Sequence, residues 1–142
     1  DDAPLTVLQT LPISGVIIVF TPQDLTAMVV RKAVNMARQM KNPILGVVEN
    51  MSYLELPDGT RMEIFGKGGG EKMAAEAQAT FLGAIPLYPA VRSGGDMGVP
   101  IVVAEPQSPV SIALKQIAVN TALQVGLVSL QSQADAVSIS ME

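Results

Sequence analysis

Cysteine, histidine and tryptophan are absent from the 142 residues, and aromatics are confined to two tyrosines and three phenylalanines. Without cysteine or histidine this chain cannot make a disulfide, a thiolate nucleophile, a Ser–His triad, a zinc site of the usual kind or a cysteine-ligated cluster of its own. Carboxylates could still hold a hard cation. Basic residues are scarce: nine Lys and Arg against thirteen Asp and Glu leave a net charge of −4 with no basic cluster, so the electropositive footprint of a nucleic-acid groove is missing. Long apolar runs are missing as well. Although 49% of the residues are hydrophobic, Pro, Gly and charges interrupt every candidate before the roughly 20 residues that a bilayer demands. No signal-peptide pattern is present. These absences lead us to expect a soluble, cytoplasmic chain of about one domain that binds neither nucleic acid nor membrane.

What is present is organised around residues 16–50. Val16–Phe20 and Ile44–Val48 are short apolar runs rich in β-branched residues, and each suits a strand buried on both faces. Between them Leu25, Val29, Ala33, Met36 and Met40 recur at spacings of three and four, the apolar face of one helix. Asp24 at its start and Arg38 and Lys41 at its end match the helix dipole, and Pro43 ends it. The unit reads as a right-handed βαβ crossover with parallel strands. In open α/β sheets ligands bind beyond the carboxyl ends of the strands, which here carry Thr21-Pro22-Gln23-Asp24 and Glu49-Asn50-Met51-Ser52.

Around that unit the rest of the chain reads in order. Residues 2–11 suit a short helix with Asp2 as cap and Pro4 in its first turn. Tyr53–Phe65 has hairpin character about Pro57-Asp58-Gly59. Gly66-Lys67-Gly68-Gly69-Gly70-Glu71-Lys72-Met73 imitates a phosphate-binding loop but departs from it, because Met73 stands where Ser or Thr would reach magnesium and Glu71 would aim a carboxylate at the phosphates. It reads instead as a flexible loop leading into a helix over 71–79. Phe81–Ile85 suits a third strand ending at Pro86, and residues 88–100 a loop with about one helical turn. Ile101-Val102-Val103 suits a fourth extended segment. Ser108–Val125 suits an amphipathic helix with Ser108 as cap and Pro109 in first position, closed by Gly126, and residues 127–142 a loosely held tail without Lys or Arg.

The first strand is apolar enough to be central, yet nothing precedes it in the sequence to flank it. Other residues or another chain are expected to cover this edge, so the sequence reads as a portion of a larger domain.

Several blocks in order then resemble one family. Asp2-Ala3-Pro4-Leu5-Thr6, Thr21-Pro22-Gln23-Asp24, Gly46-Val47-Val48-Glu49-Asn50-Met51-Ser52, Ile64-Phe65-Gly66-Lys67-Gly68-Gly69-Gly70-Glu71-Lys72 and Gly98-Val99-Pro100 look like blocks of the Mrp or ApbC ATPases, relatives of MinD and the nitrogenase iron protein. The resemblance covers nearly all of residues 2–125. It implies an α/β fold: a partial doubly wound, mostly parallel sheet without the N-terminal phosphate-loop half, with residues 1–126 as the C-terminal part of the nucleotide-binding domain. It also implies a dimeric ATPase that uses ATP and Mg and carries iron–sulfur clusters to acceptor proteins. The family's Lys-Gly-Gly-x-Gly-Lys-Ser/Thr loop and its Cys-x-x-Cys pair do not occur in these residues, so ATP hydrolysis and stable cluster binding by this chain alone are not expected.

By the same resemblance Asn50 would hydrogen-bond the adenine edge, offering a donor and an acceptor together. Pro86 and the loop through Arg92 would wall the base site, and Gln23 and Asp24 would lie near it. The plain alternatives are a turn residue for Asn50, a solvated charge for Arg92 and a helix start for Gln23 and Asp24. The alternative function is a non-catalytic module, derived from such an ATPase, that dimerises or binds a partner through the open strand edge.

Overall fold

A computed structural model describes residues 3–24, 27–39 and 41–141. After helix α1 (Ala3–Thr10) comes strand β1 (Val16–Phe20), then a single 3-10 turn over Pro22–Asp24, helix α2 (Ala27–Gln39) and strand β2 (Ile44–Glu49). A small antiparallel hairpin follows, β3 (Leu54–Glu55) with β4 (Arg61–Met62), and then α3 (Gly69–Glu76) and β5 (Phe81–Ala84). Helices α4 (Ala90–Asp96), α5 (Ile101–Ala104) and α6 (Pro109–Met141) complete the chain.

The main sheet has the order β1-β2-β5, and both pairings are parallel. β2 is central, and its residues Leu45–Glu49 are all buried. Gly46 lets the strands approach: a Cβ there would lie 2.5 Å from the Thr80 carbonyl oxygen, which instead accepts the Val47 N–H at 2.8 Å. Successive residues of β2 serve opposite faces. Val47 joins Phe20, Val30, Val34, Ala74 and Ala77 in the layer beneath α2 and α3, while Val48 joins Leu82 and Ile117 beneath α6. The Arg38 guanidinium ties α2 to α3 by donating to the Gln78 carbonyl at 3.3 Å, a cation at a helix C-terminus where carbonyls lack partners.

The expected burial of both strands on both faces holds for β2 but not for β1. Ile18 and Phe20 pack toward α2, but Ile17 and Val19 on the other face are exposed, Val19 by 58%. The cause is the path of α6, which crosses β2 and β5. The buried stripe of α2 is also displaced by one residue from the expected one: Val30, Val34 and Ala37 face the core, whereas Val29 and Met36 are exposed. Two adjoining apolar stripes run along this helix, and periodicity alone does not choose between them. Leu25, Met40 and Asp2 lie outside the described residues.

Three further segments differ from expectation. Helix α3 starts at Gly69, two residues early, and residues 90–96 form two helical turns rather than one. Ile101–Ala104 is helical, not extended. Pro100 caps it, its carbonyl accepts the Val103 and Ala104 N–H groups at 3.0 Å, and the Ser111 hydroxyl lies 3.2 Å from the Ile101 carbonyl and 2.6 Å from that of Glu105. Tertiary hydrogen bonds outweigh the strand preference of three β-branched residues. Helix α6 begins as expected, with the Ser111 N–H donating to Ser108 Oγ at 3.2 Å, but it runs through Gly126 to Met141. A glycine in an exposed helix costs only about 1 kcal/mol against alanine. That continuity also overturns the expectation on apolar length, because α6 is long and apolar enough, by length and composition, to cross a membrane.

Candidate functional site

The carboxyl ends of β2 and β5 open onto a cavity of about 490 Å³. Backbone bonds fix its rim. The Asn50 N–H donates to the Phe20 carbonyl at 2.8 Å, the Ile85 N–H to that of Glu49 at 2.8 Å and the Ser52 N–H to that of Ile85 at 2.9 Å, so the loop after β2 is clamped between β1 and β5. Met51 turns the chain with a positive φ of 53°, an uncommon conformation for a non-glycine residue and one that concentrates where a loop is held for a purpose. The Asn50 side chain accepts the Met51 N–H at 2.9 Å through Oδ1. A carbonyl oxygen has two lone pairs, so Oδ1 can still accept a second bond while the amide donates.

Pro86 is buried in the opposite wall, and the chain after it is held by the Leu87 N–H donating to the Tyr53 carbonyl at 2.7 Å. Tyr88 donates to Glu105 Oε2 at 2.5 Å, which pins this loop to the end of α5. That bond, followed by partial desolvation and the nearby Glu105 charge, pushes the Tyr88 hydroxyl above its ordinary pKa of 10.0. From α4 comes Arg92, exposed to solvent, and from α6 come Val110 and Leu114.

Asn50, Pro86 and Arg92 therefore line one cavity. Gln23 does not line it. It is exposed in the 3-10 turn after β1, and the side chain of Asp24 lies outside the described residues. The α6 wall was not foreseen, although an apolar pair at i and i+4 just inside a capped helix start is the signal that would have found it.

The glycine loop has a different setting. Lys72 is exposed, and the Glu49 carboxylate fills the space beside the first turn of α3: a Cβ on Gly70 would fall within van der Waals overlap of Glu49 Oε2. Glu49 is buried, accepts a very short hydrogen bond from the Ser52 hydroxyl through Oε1, and has no partner at Oε2 among the described residues. A buried carboxylate thus lies beside the first turn of α3, where a negative group is favourable and a second anion would be repelled. Among the described residues no group of three or more His, Cys, Asp or Glu side chains could hold a metal ion. A larger cavity of about 660 Å³ lies between the hairpin, β5 and α6, with Arg61 stacked 4.3 Å over the Tyr53 ring, and it contains none of the predicted site residues.

Known proteins resemble this chain in sequence and fold. A family model described as the NUBPL iron-transfer P-loop NTPase of the ParA group matches residues 1–122. An iron–sulfur cluster carrier protein of Synechocystis is 44% identical over 132 residues, covering 91% of this chain and 37% of that protein. Its counterpart in Pyrococcus horikoshii is 44% identical over 118 residues, covering 82% and 40%. The chain thus spans about two fifths of the length of these curated relatives. Among solved structures, a nucleotide-binding protein of Archaeoglobus fulgidus in complex with ADP superposes with a TM-score of 0.64 at 42% identity, covering 77% of this chain and 44% of that one. The cell division ATPase MinD of Pyrococcus furiosus superposes with a TM-score of 0.54 at 22% identity, covering 73% and 40%, which speaks for the fold. With residues 1–122 inside one family model and carrier proteins above 40% identity, the chain belongs to the ParA/NUBPL family of iron-transfer P-loop NTPases.

Proposed function

We propose that the chain supplies the base-binding part of a dimeric, cytoplasmic ATPase that carries iron–sulfur clusters to acceptor proteins, and that it does not hydrolyse ATP by itself. The observation that carries this reading is the convergence of Asn50, Pro86 and Arg92 on one cavity at the carboxyl ends of parallel strands, the place where such sheets take ligands. The wall of Ile85, Leu87, Val110 and Leu114 is apolar enough for a flat base, and the Asn50 amide suits the adenine edge, which offers an amino donor next to a ring acceptor. Arg92 at the open side suits the sugar or the first phosphate.

The residues present fit the base and the group next to it but not the phosphates that react. Phosphoryl transfer depends on positioning and charge stabilisation of the phosphates, and the glycine loop here is backed by Glu49 and Glu71. Nor do the residues fit a cluster, which is cargo in this family and calls for thiolates that the chain lacks.

Titration of the chain with adenosine and guanosine, followed by amide chemical shifts, tests the reading. Adenosine should perturb Asn50, Met51 and Leu87, guanosine should not, and Asn50→Ala should abolish the response. Equal responses to both nucleosides would remove the base-site assignment. Exposure of Ile17 and Val19 favours a second reading, a non-catalytic module that docks a partner along β1. It would gain ground if neither nucleoside bound.

A further inference from the structure

The distal part of α6 carries a second pattern that the nucleotide fold does not use. Leu123, Leu127, Leu130, Ala134, Val137 and Met141 follow one another at spacings of four, three, four, three and four, the a and d positions of a heptad repeat. All six are exposed, from 57% at Leu127 and Val137 to 82% at Met141 for the large ones. The seam starts at Leu123, immediately after residue 122, where the family match ends. It extends roughly 28 Å at about 1.5 Å per residue.

We propose that this seam pairs with the same seam of a second copy of the chain to form a short two-stranded coiled coil. Three observations select that occupant. The spacing is the 3.5-residue repeat of a helix that faces another helix, rather than the broader stripe that lies on a sheet or in a lipid interface. The flanking positions, Gln124, Gly126, Gln131, Gln133, Ser138 and Ser140, are all uncharged. A second copy therefore meets no like-charge repulsion, whereas a charged partner helix would find nothing to pair with. Asp135, the one charge of this stretch, lies beside the seam, where its carboxylate accepts from Gln131 at 3.0 Å. Finally, Val110, Ser111 and Ile117 anchor the proximal part of the helix in the fold, and the 19 residues from Leu123 to Met141 include four polar amide or acid side chains. Anchored at one end and carrying Asp135 near its middle, this segment suits a partner helix better than a bilayer core, where an aspartate is costly.

With six seam positions and no charged pairs beside them, association is expected to be weak, at about 10 to 100 micromolar. Sedimentation equilibrium of the chain over that range should show the mass rising from monomer toward dimer. Leu127→Asp combined with Leu130→Asp should leave a monomer, whereas Ile139→Asp, which removes an even more exposed apolar side chain from the opposite side of the helix, should dimerise like the parent. Because all three residues are exposed, far-ultraviolet circular dichroism and the urea midpoint of the body should stay unchanged. The proposal is overturned if the parent is monomeric throughout, if all variants dimerise alike, or if Ile139→Asp is as damaging as the seam pair. It is equally overturned if the chain stays monomeric but co-sediments with vesicles of phosphatidylcholine and phosphatidylglycerol.

Discussion

The two halves of α6 are similar in apolar content and opposite in fate. From Pro109 to Gln124 the helix is built into the protein: Val110, Ser111 and Ile117 are buried, the Asn120 amide donates to the Leu82 carbonyl at 2.9 Å, and Val110 and Leu114 wall the candidate base site. From Val125 to Met141 every side chain except Val128 is exposed. What separates the halves is the use of their polar groups. Ser111 and Asn120 reach carbonyls of other elements, whereas Gln131 and Ser140 bond only within the helix, to Asp135 and to the Val137 carbonyl. An apolar helix docks where its few polar groups find partners as well. β1 repeats the contrast within five residues, Phe20 buried on one face and Val19 open on the other, because the docked half of α6 stops short of it.

The contrast is tested hardest by removing equivalent side chains from each half. Ile117 fills the space over Val48, Leu82 and Gly83. Ile117→Ala should lower stability by about 2 to 5 kcal/mol, transfer and cavity costs together. Leu130→Ala, measured by urea unfolding at low concentration, should stay within about 0.5 kcal/mol of the parent. Comparable losses in both would mean that the distal half is packed after all.

A step smaller is Ser111→Ala. It leaves the carbonyls of Ile101 and Glu105 without the Ser111 hydroxyl and removes one partner of Ser108. Both carbonyls keep a backbone partner, the Glu105 and Ser108 N–H groups, so the cost is that of the lost side-chain bonding, about 0.5 to 1.5 kcal/mol, and because α5 is held by these bonds, its amides should lose protection from hydrogen exchange before those of β2. Ser132→Ala, at an exposed position of the distal half, should be neutral in both measurements.

How far the sequence reveals these features depends on whether a feature is local. The βαβ unit, the hairpin turn at Pro57-Asp58-Gly59 and the Ser108-Pro109 helix start are written in neighbouring residues and are found where expected. Strand-end geometry pointed to the loops Thr21–Asp24 and Glu49–Ser52, of which only the second lines the cavity, whereas Pro86 and Arg92 were named through the family resemblance and lie on the same cavity. Non-local features were not legible. Ile101-Val102-Val103 becomes a helix through Ser111, ten residues on, and the choice of the Val30 stripe over the Val29 stripe depends on where the sheet lies. Gly126 looks like a stop signal only if the helix has somewhere to end.

Alkaline pH probes the docked side in finer detail. The Tyr88 hydroxyl is held by Glu105, which raises its pKa in the folded protein. A group whose folded pKa is raised contributes stability below its unfolded value and loses that contribution as pH rises through the folded one. The urea midpoint should therefore fall from about pH 10 upward. Tyr53, raised mainly by burial and partly restrained by Arg61, adds to the same fall. Tyr88→Phe should flatten the profile without abolishing it, and the difference between the two curves should be confined to the alkaline limb. An unchanged slope would mean that the Tyr88–Glu105 bond does not persist in solution.

The smallest expected effect decides whether the halves of α6 are one cooperative unit or two. Gly126 sits at the junction, and a Cβ there would meet nothing within 4 Å, so Gly126→Ala is sterically free and should favour helix locally by about 1 kcal/mol. If the distal half opens independently of the body, that gain appears only locally. Helicity at 222 nm should rise, and exchange of amides 127–141 should slow by about fivefold, the same free energy expressed as an equilibrium constant. The urea midpoint, which reports the body containing Ile117 and Val48, should not move. A shifted midpoint would show that the helix unfolds as a single piece, with the distal half contributing to the stability of the nucleotide fold from beyond its edge.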